Sequence, residues 1–343
     1  MARHPDRGVT GGPDADILPC AAGNAIKTVR PNPGGPGPFT DTNVTRSRGI
    51  LCWLPPTVAQ YIYTVILKPK PLRGVAHAIV KRLVPRQVRV RGIDLVLNQD
   101  DAVLCGSIAL GCYEHADLDM FLEMLRPGMC VVDAGANIGL YAATAARKVG
   151  PAGTVIAIEP NPRNSDLMRE TARINRLDNV RIFQAALSNV TGTGMLYLGD
   201  DNVGDCRIFP CEDERKTVVV QTVTLDDIVA KERIPPIDVM KIDIQGAEAF
   251  AFDGMRNALA ASPGIRILME FWPWGIRRSG RDPAELLRGF RELGFSIYNV
   301  PRSSGRAVPV TDDLPLASMS LFRQYASLLL QRDGGRDGTD EPA

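Results

Sequence analysis

The chain has 343 residues, 45% of them hydrophobic and 23% charged, which is enough apolar material for one large α/β domain with extensions. Its 40 Lys plus Arg against 39 Asp plus Glu leave a formal net charge of +1, without the basic excess that a dedicated nucleic-acid binder carries. Seven cysteines without a CxxC pair, and three histidines away from cysteine-ligand spacing, argue against a disulfide framework or a zinc site, so free thiols in a reducing cytoplasm and no metal are expected.

Residues 1–48 are rich in Gly, Pro and Asp and lack apolar periodicity, so they read as a disordered segment, and no apolar run of a secretory signal follows the first charges. Residues 49–92 read as a basic helical extension. Its apolar stretch, 50–67, is broken by Pro55-Pro56 and carries Gln60 and Thr64, whereas a membrane-spanning helix needs about 20 predominantly apolar residues. Between Asp41 and Asp94 there is no acid, while Arg46, Arg48, Lys68, Lys70, Arg73, Lys81, Arg82, Arg86, Arg89 and Arg91 all fall there. A solvated outer face explains this run. A weak contact of residues 46–91 with an anionic membrane surface is the other reading.

From residue 88, "VRVRGIDLVLN" alternates as a half-buried hairpin does, and "DLDMFLEMLRPG" (117–128) is a helix stopped by Pro127-Gly128. A strand–helix alternation follows through "MCVVDAG", "GTVIAIEP", "NVRIFQAALS", "IDVMKIDIQG" and "IRILMEFW", which predicts right-handed βαβ units and a mostly parallel sheet with helices on both faces. Residues 192–216 interrupt it as an inserted hairpin and loop. "FSIYNV" and "ASMSLFRQ", with no helical pattern between them, predict an antiparallel pair at one edge. Residues 331–343 read as a disordered tail, so the main domain is placed at 93–325.

The turn Asp133-Ala134-Gly135-Ala136-Asn137-Ile138-Gly139 lacks the GxGxxG spacing of a dinucleotide fingerprint. Its acid would repel a pyrophosphate, by about 1 kcal/mol at 4 Å in water and more in a partly buried site. The ammonium and sulfonium of S-adenosylmethionine would instead be attracted, while the glycines permit close backbone approach. Asn137 is placed to cap the next helix. Glu159 ends the second strand, where an acid bonds the ribose hydroxyls of an adenosine cofactor. Asn161-Pro162 is a helix start signal.

The segments "LRPGMCVVDAGANIGLYA", "VIAIEPNPRN", "NVRIFQAALSN", "VTLDDIV", "VMKIDIQGAEAFAFDGM" and "ILMEFWPW", with "GCYEH" upstream, resemble the FkbM-type S-adenosylmethionine-dependent methyltransferases from about residue 90 to 325. Gln245 stands where members of that family often carry Glu. The resemblance implies the class I methyltransferase fold (Rossmann-like, seven-stranded, mostly parallel, with an antiparallel edge strand). It also implies methyl transfer to a hydroxyl of a sugar, polyketide or other secondary metabolite. It places Asp133, Gly135, Ala136, Asn137, Gly139, Glu159 and Asn161 in the cofactor shell, with Gln184 and Ala185 bordering the adenine. A nucleotide-dependent oxidoreductase and a non-catalytic binding module on the same fold are the alternatives.

Methyl transfer to an alcohol needs alignment and a general base. Asp243 at the fourth strand end is the first candidate, with Lys241 two residues earlier on the same side of the strand. Glu270 and Glu248 are further candidates, although Glu248 would equally complement a helix dipole. His115 is a weaker one. Trp272 and Trp274 read as a wall for a small-molecule or glycan substrate, and Arg277 and Arg278 as partners for an anionic group on it. Asp243 could alternatively help bind a divalent ion that takes the proton, although no residue pattern indicates a metal.

Overall fold

The computed structural model describes residue 82 and residues 84–332, apart from 102, 110, 112, 114, 200–204, 211–214, 302–305 and 322–323. The N-terminal segment, the apolar stretch 50–67, most of the basic extension and residues 333–343 of the tail lie outside the described residues. Among the described residues no helix is long and apolar enough to cross a membrane.

In chain order the elements are β1 (Gln87–Val90), β2 (Ile93–Val96), α1 (Leu104–Ala109), α2 (His115–Met124), β3 (Cys130–Ala134), α3 (Leu140–Val149), β4 (Thr154–Ile158), α4 (Pro162–Ile174) and β5 (Val180–Phe183). Next come β6 (Ala186–Leu187), β7 (Gly192–Tyr197), β8 (Thr217–Val223), α5 (Leu225–Glu232), β9 (Val239–Ile242), α6 (Glu248–Asp253), α7 (Arg256–Ala260) and β10 (Arg266–Phe271). The chain closes with α8 (Pro273–Arg278), α9 (Pro283–Glu292), β11 (Phe295–Asn299), β12 (Val308–Pro309), α10 (Leu314–Ala317) and β13 (Ala326–Arg332).

The central sheet is mostly parallel, with helices on both faces. It has eight strands in the order β12-β11-β13-β10-β9-β3-β4-β5, the eighth being the two-residue β12. Alternation along each strand sorts the two cores. Val132, Ile156, Met240, Ile267 and Leu328 face one side, with α5, α6, α7 and α9. Val131, Val155, Val239 and Leu268 face the other, with α2, α3, α4 and the β1–β2 hairpin. Strands buried on both faces read as near-continuous apolar runs, which is why they were legible.

The antiparallel pair lies where expected, but its geometry differs. The last strand is Ala326–Arg332, and it inserts between β10 and β11, antiparallel to both. Within "ASMSLFRQ" the described residues form no strand: α10 ends at Ala317, and the paired strand begins only at Ala326. Gln331 pairs with Arg266 and with Ser296, so the sheet takes in residues 331 and 332, which were expected in the tail, and the fold runs past residue 325. The inserted segment pairs β7 and β8 antiparallel, and β8 also pairs with β6 in a separate three-stranded sheet.

The N-terminal hairpin is tied down by α4. The backbone N–H of Asp94 donates to Asn175 Oδ1 (2.9 Å), Asn175 Nδ2 returns a bond to Asp94 O (2.8 Å), and the Val96 N–H donates to Thr171 Oγ1 (3.0 Å). Side chains thus satisfy strand N–H groups that a bare edge would leave open. Thr171 is fully buried. Thr171→Val keeps the shape but strands the Val96 N–H, and is expected to lower stability by about 1–3 kcal/mol in urea unfolding. Hydrogen exchange should quicken at residues 93–97 before it does in β3 or β4.

Candidate active site

The turn after β3 is held from three sides. The N–H groups of Gly135 and Ala136 both donate to Ile158 O (2.9 and 3.0 Å), and the Asp243 N–H donates to Ala134 O (3.0 Å). Gly135 has φ 79°, and a Cβ there would meet the Asp243 carbonyl oxygen at 1.9 Å. At Gly139, with φ 88°, a Cβ would meet Met168 Cγ of α4 at 2.7 Å. The room around both glycines is therefore filled by the protein's own packing, not by space kept open for a ligand. Asn137 does not cap α3 either. Gly139 occupies the N-cap position without a side-chain cap, because the turn takes left-handed residues at both Asn137 (φ 50°) and Gly139 and so carries the Asn side chain away from the helix start.

Glu159, just past β4, is buried and locks this turn to the next one. Its Oε2 accepts from the Asn137 N–H (2.9 Å) and its Oε1 from the Asn161 N–H (2.8 Å). Burial pushes its carboxyl up to about 7, against the pull of those donors. Asn161 is the N-cap of α4, accepting from the Arg163 N–H with Pro162 in the first turn. Ala185 is buried beyond β5, whereas Gln184 is exposed and its Oε1 accepts from both terminal nitrogens of Arg169 (3.3 and 3.2 Å).

Asp133 is completely buried, and neither of its carboxylate oxygens has a hydrogen-bond partner; the same is true of Asn137 Oδ1. Burial pushes the Asp133 carboxyl up to about 6, with Lys241 pulling the other way. Strand parity puts Asp133 on the face of Val131, Lys241 on that of Val239, and Glu270 on that of Leu268, so all three share the α2/α3 side of the sheet. Asp243 lies one residue past the Ile242–Met269 register pair, beside Glu270. Lys241 Nζ donates to Asp243 Oδ2 (3.3 Å) and sits 4.6 Å from the centre of the Tyr141 ring. Burial alone would raise the Asp243 carboxyl, but Lys241, the Gln245 amide and a hydrogen bond with Glu270 outweigh it and hold it below the ordinary value. Farther along the same row, Ser327, the cross-strand partner of Glu270, donates to the buried Asp117 of α2 (3.0 Å).

Glu248 opens α6, and its Oε1 accepts from the N–H groups of Ile244 (3.3 Å) and Gly246 (3.1 Å), bracing the loop that carries Asp243. Its Oε2 is buried without a partner, and burial pushes the carboxyl up to about 7. Trp272 is buried and stacks at 5.2 Å on the half-buried Trp274. The buried Arg207, from the inserted segment, lies 4.8 Å from one ring and 5.7 Å from the other, and is held bidentately by Asp205 (2.8 and 2.9 Å). Arg215 braces the same carboxylate (3.0 Å), and Cys206 accepts from Asn161 Nδ2 (3.7 Å). Arg277 donates to the carbonyls of Ala317 (2.6 Å) and Met319, tying down α10. Arg278 lies 5.5 Å from the Trp274 ring.

Residues 133–297 match the family described as methyltransferase FkbM domain, starting at the buried acid of the glycine turn and ending in β11. This segment is similar to FkbM methyltransferase domains. The chain is 28% identical to methyltransferase sdnD of Sordaria araneosa, across 42% of this chain and 64% of that protein. It is 27% identical to the 31-O-demethyl-FK506 methyltransferase FkbM of Streptomyces tacrolimicus (39% and 62%) and 27% identical to the hexuronic acid methyltransferase AglP of Haloferax volcanii (43% and 58%). The chain thus spans between 58% and 64% of the length of these relatives.

The matched segment brings Asp133, Asn137, Glu159, Asp243 and Glu270 to the carboxyl ends of β3, β4, β9 and β10. It leaves Gln184 and Arg277 engaged elsewhere. Sequence reasoning missed Arg207, Asp205 and Arg215, which lie in a segment without periodicity. It also missed Asp117 and Ser327, which flank the matched FkbM segment on either side. A buried acid in the first turn of α2 was the one signal for Asp117. For Glu248, the folded carboxyl holds its proton more tightly than the unfolded one, so its contribution to stability is complete below the unfolded value of 4.5 and is lost as the pH rises to about 7. Glu248→Gln, which keeps an oxygen for the loop amides, is expected to be more stable than the parent chain by about 1–3 kcal/mol at pH 8. That advantage should fade below pH 5, as read by denaturant unfolding at both pH values.

Proposed function

We propose that the chain is an S-adenosylmethionine-dependent methyltransferase acting on a hydroxyl of a small-molecule or glycan acceptor. One observation carries this reading: the acceptor atoms without donors around the glycine turn, both oxygens of Asp133 and Oδ1 of Asn137. Buried acceptors without donors are costly, and a ligand rich in N–H groups and positive charge relieves them. An ammonium fits that demand, whereas a pyrophosphate has no hydrogen to give and would meet Asp133 as a like charge. The relatives named for a hexuronic acid and for 31-O-demethyl-FK506 support a polyhydroxylated acceptor and an oxygen nucleophile.

When bound, the cofactor supplies a methyl group already activated on a sulfonium sulfur. The chain's residues do the rest. Asp133 and Asn137 hold the ammonium end, and Glu159, whose oxygens each accept one backbone N–H, has further lone pairs for ribose hydroxyls. Ala185 lies on the adenine side, and Gly135, Ala136, Gly139 and Asn161 build the turns. Asp243, held ionised by Lys241 and partly exposed, accepts the acceptor's proton as its oxygen attacks. Trp272 and Trp274 close the acceptor side, and Arg207 replaces Arg277 as the cation against them. Glu248 serves as a brace for the Asp243 loop.

Calorimetry should give micromolar binding of S-adenosylmethionine or its demethylated product, weakened about tenfold or more by Asp133→Asn. Absence of binding by either compound sinks the reading. With the cofactor supplied, mass spectrometry across sugars and secondary metabolites should find a product heavier by one methyl group. Asp243→Asn should slow its formation by about 10²–10⁴ while leaving cofactor affinity in place.

A further inference from the structure

Gln245 carries a left-handed backbone (φ 52°) directly before Gly246, which is left-handed as well (φ 96°). A glutamine gains nothing from that conformation and pays about 1–2 kcal/mol for it. Such strain persists where the side chain has a task. The task is visible: a single nitrogen, Nε2, lies 2.8 Å from Asp243 Oδ1 and 3.1 Å from Glu270 Oε2. An amide NH₂ has two hydrogens, one for each carboxylate. The orientation of the amide follows from its partners, since turning its oxygen toward the ionised Asp243 would set two acceptors against each other.

We infer that Gln245 is the positioning residue of the acceptor site, a neutral bridge that holds the carboxylates of Asp243 and Glu270 side by side and aims both at the incoming acceptor. The surroundings make a neutral bridge necessary. Around Asp243 stand Lys241 of its own strand, Asp133 from β3, Glu270 from β10 and Glu248 from α6, with Tyr141 of α3 against Lys241 and Asp117 of α2 beyond Ser327. Lys241 is the cation that acts on both Asp243 and Asp133. A donor without charge lets two carboxylates share a short stretch of sheet edge, adjacent strands being about 4.8 Å apart, without adding a charge of its own. With both carboxylates fixed by the same nitrogen, one takes the proton of the reacting hydroxyl while the other accepts a hydrogen bond from a neighbouring hydroxyl of the same acceptor. Only this use of the clamp rests on the methyl-transfer reading; the clamp itself belongs to the free protein.

The test therefore needs no acceptor. The full chain is labelled with ¹³C at its Asp and Glu carboxyls, Asp243 is assigned with Asp243→Asn, and its titration is followed by NMR. Gln245→Glu, isosteric and charged, and Gln245→Met, similar in size and without donors, are expected each to raise the Asp243 midpoint by about one unit or more. Gln245→Glu should give the larger rise. Binding of S-adenosylhomocysteine, measured by calorimetry on the same samples, should match the parent chain in both variants. An Asp243 midpoint that stays put in Gln245→Glu overturns the clamp, and so does one that stays put in Gln245→Met. If S-adenosylhomocysteine binds none of the proteins, the methyl-transfer reading fails while the titration still decides the clamp.

Discussion

The site depends on one contact, the Asp243 carbonyl oxygen against the Cα of Gly135. It joins the turn after β3 to the loop after β9, and no residue with a Cβ fits between them. Because the same loop delivers Asp243, the contact sets how far the proposed base stands from the turn where Asp133 and Asn137 lie. Glu159 makes the matching joint on the other side by binding the Asn137 and Asn161 amides. Three strand ends are thereby fixed relative to one another by backbone groups and one carboxylate. Reacting groups on such a frame keep their spacing without help from long side chains.

The second organising fact is strand parity. Side chains of one strand point alternately to opposite faces, so Asp133, Lys241, Glu270 and Ser327 fall on one face as a consequence of register. The apolar residues between them fill the opposite core. A polar row is therefore built into the edge of an otherwise apolar sheet with few compensating changes. Its members support one another: Lys241 and Gln245 donate to Asp243, and Asp117 accepts from Ser327.

Much of this was legible in the sequence because the relevant signals were local. The strands β3, β4, β9 and β10 are apolar runs that end in an acid or in a residue pair such as Lys241 and Asp243, and a two-residue spacing on a strand means a shared face. The helix start at Asn161-Pro162 is local too. What escaped depended on long-range pairing. The place of β13 between β10 and β11 is decided by partners some 30 to 60 residues upstream, and "ASMSLFRQ" offered an apolar pattern of the wrong kind. Arg207 meets Trp272 across a long separation in the chain, and nothing in its spacing announces that. The Asn137 cap failed for a related reason, since left-handed backbone at both Asn137 and Gly139 changes which way a side chain leaves the turn.

The position of β13 also bears on how the chain is made. During synthesis β10 and β11 emerge well before the strand that separates them, and until residue 332 clears the ribosome exit each waits with an open edge facing the other. Paired prematurely with each other, those two edges would give a sheet with its last strand shut out. The short strand β12 and helix α10 between β11 and β13 act, in that light, as spacers of the assembly process. A fragment cut at the limits of the matched family segment would divide both β3 and β11 and lose the strand that docks β11, so what is similar in sequence is smaller than the sheet it belongs to.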